Sequence, residues 1–290
     1  MSNEPVAPPH NPYPHNPYHP YNMSNEPVAP PHNPYNPSDD DYRGQNIVDR
    51  NSCDEHDIEG YGKNAIGFDN ASIRAGFVRK VFFIVTIMLL VVILMVTPVV
   101  VNTELRVMII RNRWIYSLAF VVFFATFCTL ACCRSVARNF PMNLILLAIF
   151  TIAAGLILAV ICALASPQSV LLALITTTLS CGAIILFASQ TSYDVTTHIF
   201  LIYAASCAVF IFAIALGILQ FFVYIKMLHI IFAAVACVLF MVYLALDTQM
   251  IIGGRKYEIS PEEYVYAALM LFVDIYEIFI MLLSLFQAAE

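Results

Sequence analysis

Hydrophobic blocks of about 20 residues, separated by short polar connections, fill the last three quarters of the chain. Each block is long enough for an α-helix to cross the hydrocarbon core of a bilayer, which is roughly 30 Å thick. The pattern therefore predicts an all-α integral membrane protein with about seven transmembrane helices. The blocks run approximately over 81–101, 114–133, 143–165, 170–188, 199–219, 227–246 and 260–286.

The polar connection between the sixth and seventh blocks carries clear start and stop signals. Gly253-Gly254 predicts the end of the sixth helix, because glycine tolerates the backbone conformation found just beyond helix ends. Ser260-Pro261-Glu262-Glu263 reads as a capping box with proline at the first helical position, and so predicts the start of the seventh helix. Lys226 and His229, near the start of the sixth block, are predicted to extend their polar ends towards the membrane interface.

Composition supports a membrane protein and argues against several other classes. The 290 residues are 60% hydrophobic and 12% charged, whereas soluble domains carry roughly 25% charged residues. The mean hydropathy is +0.76. The net charge of −6 comes mainly from the N-terminal segment, and no basic stripe suggests nucleic-acid binding. No zinc-protease, nucleophile-elbow or phosphate-loop motif occurs, so we expect a protein that is not an enzyme.

The first 72 residues form a polar segment rich in proline, tyrosine and asparagine. Its Met1–Tyr13 sequence recurs unchanged as Met23–Tyr35. Such a composition cannot bury a core, so we predict a disordered tail over residues 1–72 and a membrane domain over residues 73–290. The duplicated tail is either a spacer or a docking arm for domains that read Pro/Tyr motifs.

Basic residues near the helix ends favour a cytosolic N-terminus, because cytosolic loops are enriched in lysine and arginine. With seven crossings, the C-terminus then lies on the opposite side. On this assignment the cytosolic side holds Arg74, Arg79, Lys80, Arg134, Arg138, Arg255 and Lys256. The other side holds Arg106, Arg111, Arg113 and Lys226.

Three acidic residues stand out because the first five blocks contain almost no ionisable side chain. Asp247 lies near the end of the sixth helix, Asp274 lies within the seventh, and Glu277 follows one turn later. A lone ionised carboxylate in hydrocarbon costs several kcal/mol, so such residues usually face a protein interior, a water-filled cavity or a partner. We therefore treat these acids as candidate functional residues.

Eight cysteines occur, and their spacing does not resemble a zinc site. Most fall within apolar blocks and are interpreted as buried thiols that pack as small hydrophobic side chains. Cys132 and Cys133 differ, because they end the second block next to Arg134. Cysteines at such a boundary are candidates for reversible palmitoylation.

Several separated motifs resemble, in the same order, those of the Bax-inhibitor motif family in its lifeguard (glutamate-receptor-associated) branch. The resemblance covers residues 75–286. The tail resembles the family only in being rich in proline and tyrosine. The motifs are Arg138–Leu147, Gln190-Thr191 with Asp194, Tyr243–Gln249, Ile259–Tyr264, Ala267–Leu269 and Phe272–Ile275.

This resemblance implies six helices packed around a central seventh, residence in the endoplasmic reticulum or Golgi, a pH-sensitive calcium leak and restraint of apoptosis. It assigns the pH-sensing acid pair, with weak calcium binding, to Asp247 and Asp274. A basic latch beyond the second helix falls on Arg134 or Arg138. Glu277 departs from the family pattern; it is either an accessory pore acid or lies nearer the far surface. Calcium is the permeant ion, and no cofactor is implied.

Other functions fit parts of the sequence. A non-conducting anti-apoptotic adaptor would act by binding cell-death regulators, with the tail as its docking arm. A proton-coupled transporter would also use intramembrane acids, but it predicts inverted repeats that this sequence does not display. An intramembrane aspartyl protease is disfavoured because Val273-Asp274-Ile275 lacks the glycines of that motif. Plasma or endosomal membranes remain alternative locations to the endoplasmic reticulum or Golgi.

Overall fold

The computed structural model describes residues 71–112, 114–220, 222–223 and 225–290, except for the side chain of Arg134. The predicted tail up to residue 70, with its duplicated segment and Cys53, lies outside the described residues. The described chain is helical and contains no β-strand.

Seven of the helices are long and apolar enough to cross a membrane. The protein is thus an all-α, multi-pass integral membrane protein, as the hydrophobic pattern predicts. Two 3-10 turns, Val195–His198 and Pro261–Glu263, lead into α7 and α9. The helices are α1 (Ala71–Val101), α2 (Thr103–Arg111), α3 (Trp114–Cys132), α4 (Arg134–Arg138), α5 (Met142–Leu164), α6 (Pro167–Gln190), α7 (Ile199–Leu219), α8 (Lys226–Ile252) and α9 (Tyr264–Ala289).

The last helix, α9, is the central one. It packs against α3, α5, α6 and α8, and Lys80 of α1 lies 3.2 Å from the centre of the Tyr264 ring. Buried residues cover most of the circumference of α9, and the remaining stripe in its middle part is half-buried, as expected of an apolar helix enclosed by others. The α7 helix packs on the outer side of α8. Among the seven spanning helices of the described chain, α9 is therefore central: five of the others contact it, and α7 lies one layer further out against α8.

Small residues allow the helices to approach closely. A Cβ atom on Gly155 of α5 would lie 2.6 Å from the sulfur of Met95 in α1, so a larger residue there would displace the Met95 side chain. Ala267 and Ala268 of α9 are fully buried. Burial of small side chains between helices is typical of membrane bundles, where association depends on close packing rather than on the hydrophobic effect.

Two short helices, α2 and α4, are not predicted by the hydrophobic pattern because neither crosses the membrane. The side chain of Asn102 starts α2 by accepting hydrogen bonds from the backbone amides of Glu104 and Leu105. Arg106 of α2 then donates to the carbonyl oxygens of Ala163 and Ala165 at 2.7 and 2.8 Å. The α2 helix therefore caps the C-terminal end of α5.

The predicted end of the sixth spanning helix is confirmed, but the predicted capping box is wrong. Gly253 and Gly254 adopt φ values of 81° and 71°, the region that favours glycine. The Ser260 side chain makes no capping hydrogen bond. Instead the Glu263 amide donates to the Ser260 carbonyl oxygen at 2.9 Å. This backbone bond closes the 3-10 turn, and α9 begins only at Tyr264.

His229, which is expected near the membrane interface, has a polar partner on another helix. Its Nε2 atom lies 3.1 Å from the hydroxyl oxygen of Ser284 on α9. This contact joins the first turn of α8 to the last turns of α9, near the ends of both spans.

Candidate functional site

Asp247 and Asp274 lie on two neighbouring antiparallel helices, α8 and α9. Asp247 is five residues before the end of α8, or roughly 8 Å along the axis, and Asp274 is roughly 15 Å from the start of α9. The two acids can therefore lie at the same depth only if the first turns of α9 extend beyond the end of α8. The 3-10 turn at Pro261–Glu263 leads into these turns.

The structure brings these two acids together. Their carboxyl groups lie within hydrogen-bonding reach of each other. Asp247 is 6% exposed and Asp274 is 5% exposed, although both belong to charged residue types. The Oδ2 atom of Asp274 has no hydrogen-bond partner among the described residues. The two carboxyl groups are thus buried and interact with each other, and one oxygen atom of Asp274 lacks a hydrogen bond.

Aromatic side chains close off one side of α9 next to Asp274. Phe272 and Tyr276 of α9 stack with their ring centres 5.8 Å apart. Phe150 of α5 meets the edge of Phe272, and Phe123 of α3 lies against Phe150 at 4.8 Å. The Tyr276 hydroxyl donates to the Ala154 carbonyl oxygen at 3.2 Å. This aromatic cluster packs α9 tightly against α3 and α5.

A cavity lies between α1, α6 and α9, and Phe272 and Tyr276 form part of its lining. Its volume is about 470 Å³, and its lining is mostly apolar. Cys181 of α6 lines this cavity and also interacts electrostatically with Asp274. The cavity therefore extends to the layer of the membrane domain in which the acid pair lies.

Glu277 lies one turn beyond Asp274 on α9 and is partly buried. It interacts electrostatically with Asp274 and Tyr276. Among the described residues, no hydrogen bond or ion pair is made by its side chain. The structure therefore places this acid beside the pair but not within it.

The two candidate latch residues lie at the end of the bundle where α9 starts. Arg138 donates to Glu263 at 2.9 Å and lies 3.6 Å from Glu262. It is thus paired with acids that precede α9, not with Asp247 or Asp274. Arg134 begins α4, but its side chain is outside the described structure.

The side chain of Arg74 binds the end of α8, a role that its position before the first hydrophobic block did not indicate. Its guanidinium group donates to three carbonyl oxygens, those of Met250, Ile252 and Ile259, at 2.6, 3.1 and 2.7 Å. A Cβ atom on Gly253 would lie 2.6 Å from this group. The glycine is therefore needed both for its backbone angle and for the space.

A second polar network joins the α6–α7 connection to the end of α8. Gln249, almost fully buried, accepts from the Val195 amide at 2.8 Å and donates to the Tyr193 carbonyl at 2.8 Å. Asp194 accepts from the Thr196 hydroxyl at 2.6 Å and from the Lys256 amide at 3.2 Å. These bonds fix the α8 terminus that carries Asp247.

Hydrogen bonding also affects the titration of Asp194. The Thr196 hydroxyl holds the pKa of Asp194 below its usual value, and the Lys256 amide and the positive charge of Arg255 act in the same direction. Arg255 donates to the Ser192 carbonyl at 2.9 Å and to that of Thr191. Asp194 belongs to one of the sequence motifs, and Thr196 is a local partner, but Lys256 and Arg255 lie about 60 residues away and have no local signal.

Comparison with known proteins agrees with this architecture. The sequence model of the family described as "Inhibitor of apoptosis-promoting Bax1" matches residues 74–290. The human Protein lifeguard 3 is 33% identical over 218 residues, which cover 75% of this chain and 70% of that protein. The mouse Protein lifeguard 3 is also 33% identical, over 75% of this chain and 71% of that protein.

A plant protein shares the same region. Protein LIFEGUARD 4 of Arabidopsis thaliana is 28% identical over 225 residues, covering 77% of this chain and 88% of that protein. The match of the family model includes all seven spanning helices except the first three residues of α1. The chain therefore belongs to the Bax-inhibitor family, and within it to the lifeguard branch.

Proposed function

We propose that this protein is a pH-sensitive calcium leak channel of intracellular membranes that lowers stored calcium and thereby restrains apoptosis. The observation that carries the proposal is the contact between the buried carboxyl groups of Asp247 and Asp274. Membership of a family described by its inhibition of an apoptosis-promoting protein supports an anti-apoptotic role. The calcium leak itself is our proposal.

The mechanism follows from the difficulty of ionising both carboxyl groups. Two carboxyl groups in contact at low dielectric resist double ionisation and titrate as a pair. While Asp247 and Asp274 share a proton, the bond ties α8 to α9 and keeps the path closed. When the shared proton is lost, two negative charges repel each other and the helices separate. Flux should therefore rise as the pH rises.

Calcium would bind this pair only weakly. A calcium ion takes six to eight oxygen ligands, whereas the pair offers two carboxylates. No group of three or more histidine, cysteine, aspartate or glutamate side chains suited to a metal occurs among the described residues. Weak attraction suits an ion that passes through the protein, because a tightly held ion would not leave. Glu277 would raise the local negative charge.

The cavity between α1, α6 and α9 supports a path that approaches the pair from one side, because Cys181 lines the cavity and interacts electrostatically with Asp274. The Arg138 contacts with Glu262 and Glu263 support a latch at the other end of the path, where α9 starts. If Arg134 adds to this latch, its charge would act on the same acidic turn or on the ionised pair. These contacts suggest a basic latch that acts through the start of α9.

We propose the endoplasmic reticulum or Golgi as the location, with the N-terminus in the cytosol. The start of α1 and the end of α8 lie at the same end of the bundle, because Arg74 of α1 joins them. Arg138, Arg255 and Lys256 lie at this end as well. The excess of basic residues there supports a cytosolic assignment.

Calcium flux into liposomes that contain only the purified protein tests the proposal against the adaptor alternative. A leak channel predicts calcium entry that increases with pH and is absent from protein-free liposomes. An adaptor that acts only by binding partners predicts no flux at any pH. Flux that is present but independent of pH would retain the channel and reject the proton-sharing mechanism.

A further inference from the structure

Two adjacent cysteines at the end of α3 form a feature that the leak mechanism does not use. Cys132 is the last residue of α3, and Cys133 connects it to α4. Both are exposed and both carry free thiols. The 19 residues of α3 extend roughly 28 Å, close to the thickness of the hydrocarbon core. Their position at the end of α3 therefore places both thiols at the membrane boundary.

The other described cysteines differ from this pair in position or exposure. All of them lie within membrane-spanning helices, and only Cys207 is exposed. Cys207 lies near the middle of α7, where it faces the lipid. They are Cys128, Cys162, Cys181, Cys207 and Cys237.

Cys132 and Cys133 are suited neither to a disulfide with each other nor to metal binding. Neighbouring Cα atoms in a trans chain are about 3.8 Å apart, whereas disulfides usually join Cα atoms 4.4–6.8 Å apart. The two thiols are therefore poorly placed to bond to each other. No cluster of metal-ligating side chains includes them within the described residues. A further reaction open to an exposed thiol next to a membrane is transfer of a fatty acyl group.

We propose that Cys132 and Cys133 are S-acylation sites that take long-chain fatty acyl groups from fatty acyl-coenzyme A on the cytosolic face. The thiol sulfur attacks the acyl carbonyl, a new carbon–sulfur thioester bond forms, and the bond between the acyl group and coenzyme A breaks. The thiol proton leaves with coenzyme A as its free thiol. The reaction exchanges one thioester for another and needs no oxidant or reductant.

The residues that follow Cys132 and Cys133 suit both an acyl chain and lipid headgroups. Phe140 follows α4 and is 75% exposed, and Met142 at the start of α5 is also exposed. Large apolar side chains at this boundary favour insertion into the membrane surface. Arg134 follows the cysteines directly, and its positive charge favours anionic headgroups. Each buried methylene of the acyl chain adds to membrane attachment.

Acylation here would anchor a fixed corner of the bundle. The α4 helix packs against α3, α5, α9 and the turn that precedes α9. The acyl chains would therefore hold the corner in which Arg138 contacts Glu263. The inference depends on the proposed cytosolic orientation, but not on calcium conduction.

The test is to express the full-length protein in mammalian cells and replace each hydroxylamine-sensitive thioester with a polyethylene-glycol mass tag. The wild-type protein should show up to two added tags. The variants Cys132→Ser and Cys133→Ser should each lose one, and the double variant should lose both. Because both side chains are exposed, these substitutions should leave the protein monodisperse in detergent, and a Cys→Ala pair checks this.

Matched controls decide which thiols react. Cys207→Ser tests an exposed thiol in the middle of a span, and Cys53→Ser tests the thiol of the tail; both should leave the tags unchanged. Absence of tags in the wild type, or tags that persist in the double variant, would overturn the proposal. Glycosylation of the tail, measured on the same samples, shows whether a negative result comes from a wrong orientation or from a lack of acylation. A glycosylated tail rejects the orientation, whereas an untagged protein with an unmodified tail rejects acylation alone.

Discussion

The guanidinium group of Arg74, in α1, donates a 2.6 Å hydrogen bond to the carbonyl oxygen of Met250, which lies about one turn beyond Asp247 in α8. The last carbonyl groups of a helix have no partner within the helix and must be satisfied from outside. Arg74 does this for α8 with a positive charge, which also suits the negative end of the helix dipole. The helix that follows the tail is thereby joined to the helix that carries Asp247.

Replacement of Arg74 by lysine should lower the free energy of unfolding by about 2 kcal/mol, because lysine cannot reach three carbonyl oxygens in the same geometry. The expected result is a lower thermal unfolding midpoint in detergent. Amide hydrogen exchange should also accelerate over residues 250–259, where the three acceptors lie.

Two other arginines provide matched controls for this prediction. Arg79 is exposed and makes no interaction within the described structure, so Arg79→Lys should change neither measurement. Arg106 caps α5 by the same chemistry at the opposite end. Arg106→Lys should lower the unfolding midpoint without accelerating exchange over 250–259. Equal exchange in the Arg74 and Arg106 variants would show that the Arg74 contact has no local effect.

Asp194 should contribute to stability at neutral pH and lose that contribution in acid. Its pKa is lowered in the folded protein, first by the Thr196 hydroxyl. A group with a lowered folded pKa stabilises the fold above its unfolded pKa, about 3.9 for aspartate, and this stability disappears as the pH falls through the folded value. Asp194→Ala should therefore lower the unfolding midpoint at pH 7.

The same variant should differ less and less from the wild type as the pH falls below 4. Thermal unfolding in detergent across this range measures the difference. The conservative Asp194→Asn keeps one acceptor oxygen for Thr196 and should lose less stability at pH 7 than alanine does. A difference between wild type and Asp194→Ala that stays constant with pH would mean that the carboxylate charge plays no part.

The cytosolic orientation predicts that the glycosylation sequons of the tail remain unmodified. Asn22-Met23-Ser24 and Asn70-Ala71-Ser72 both match the acceptor pattern. Protein expressed in mammalian cells should show no mass change on glycosidase treatment. A glycosidase-sensitive mass that disappears in Asn22→Gln would reverse the topology.

The tail is predicted to be dispensable for conduction. Segments of this composition usually bind partners and contribute no apolar surface to a membrane core. Deletion of residues 1–69 should leave the calcium flux of reconstituted protein within the range of the full-length chain at each pH. Loss of flux in a truncated protein that inserts correctly would show that the tail controls the path.

The membrane architecture could be predicted from the sequence because each span is a continuous apolar run with polar ends. The Gly253-Gly254 stop was also readable, since only glycine readily adopts those angles. The short helices α2 and α4 were not, because neither has an apolar run. The capping-box motif at Ser260 did not predict the local hydrogen bonding. The residue types match the motif, but the Ser260 side chain makes no capping bond.

The site was only partly predictable, because its polar contacts join distant parts of the chain. The acids could be selected because carboxylates are rare in apolar blocks. That Arg74 binds carbonyl groups more than 170 residues away, and that Gln249 binds the connection before α7, depends on packing that has no local pattern. The contact between His229 and Ser284 has no local pattern either, since the two residues are 55 positions apart.

The most direct test of the proton-sharing acid pair is calcium flux into liposomes as a function of pH for Asp247→Asn and Asp274→Asn, measured beside the wild type and Glu277→Gln. Asparagine keeps the shape of the side chain but cannot ionise. We expect wild-type flux to rise with pH, each aspartate variant to lose most of that dependence, and Glu277→Gln to lose less because it lies one turn from the pair. If both aspartate variants conduct calcium with the wild-type pH dependence, the acid pair does not control the leak.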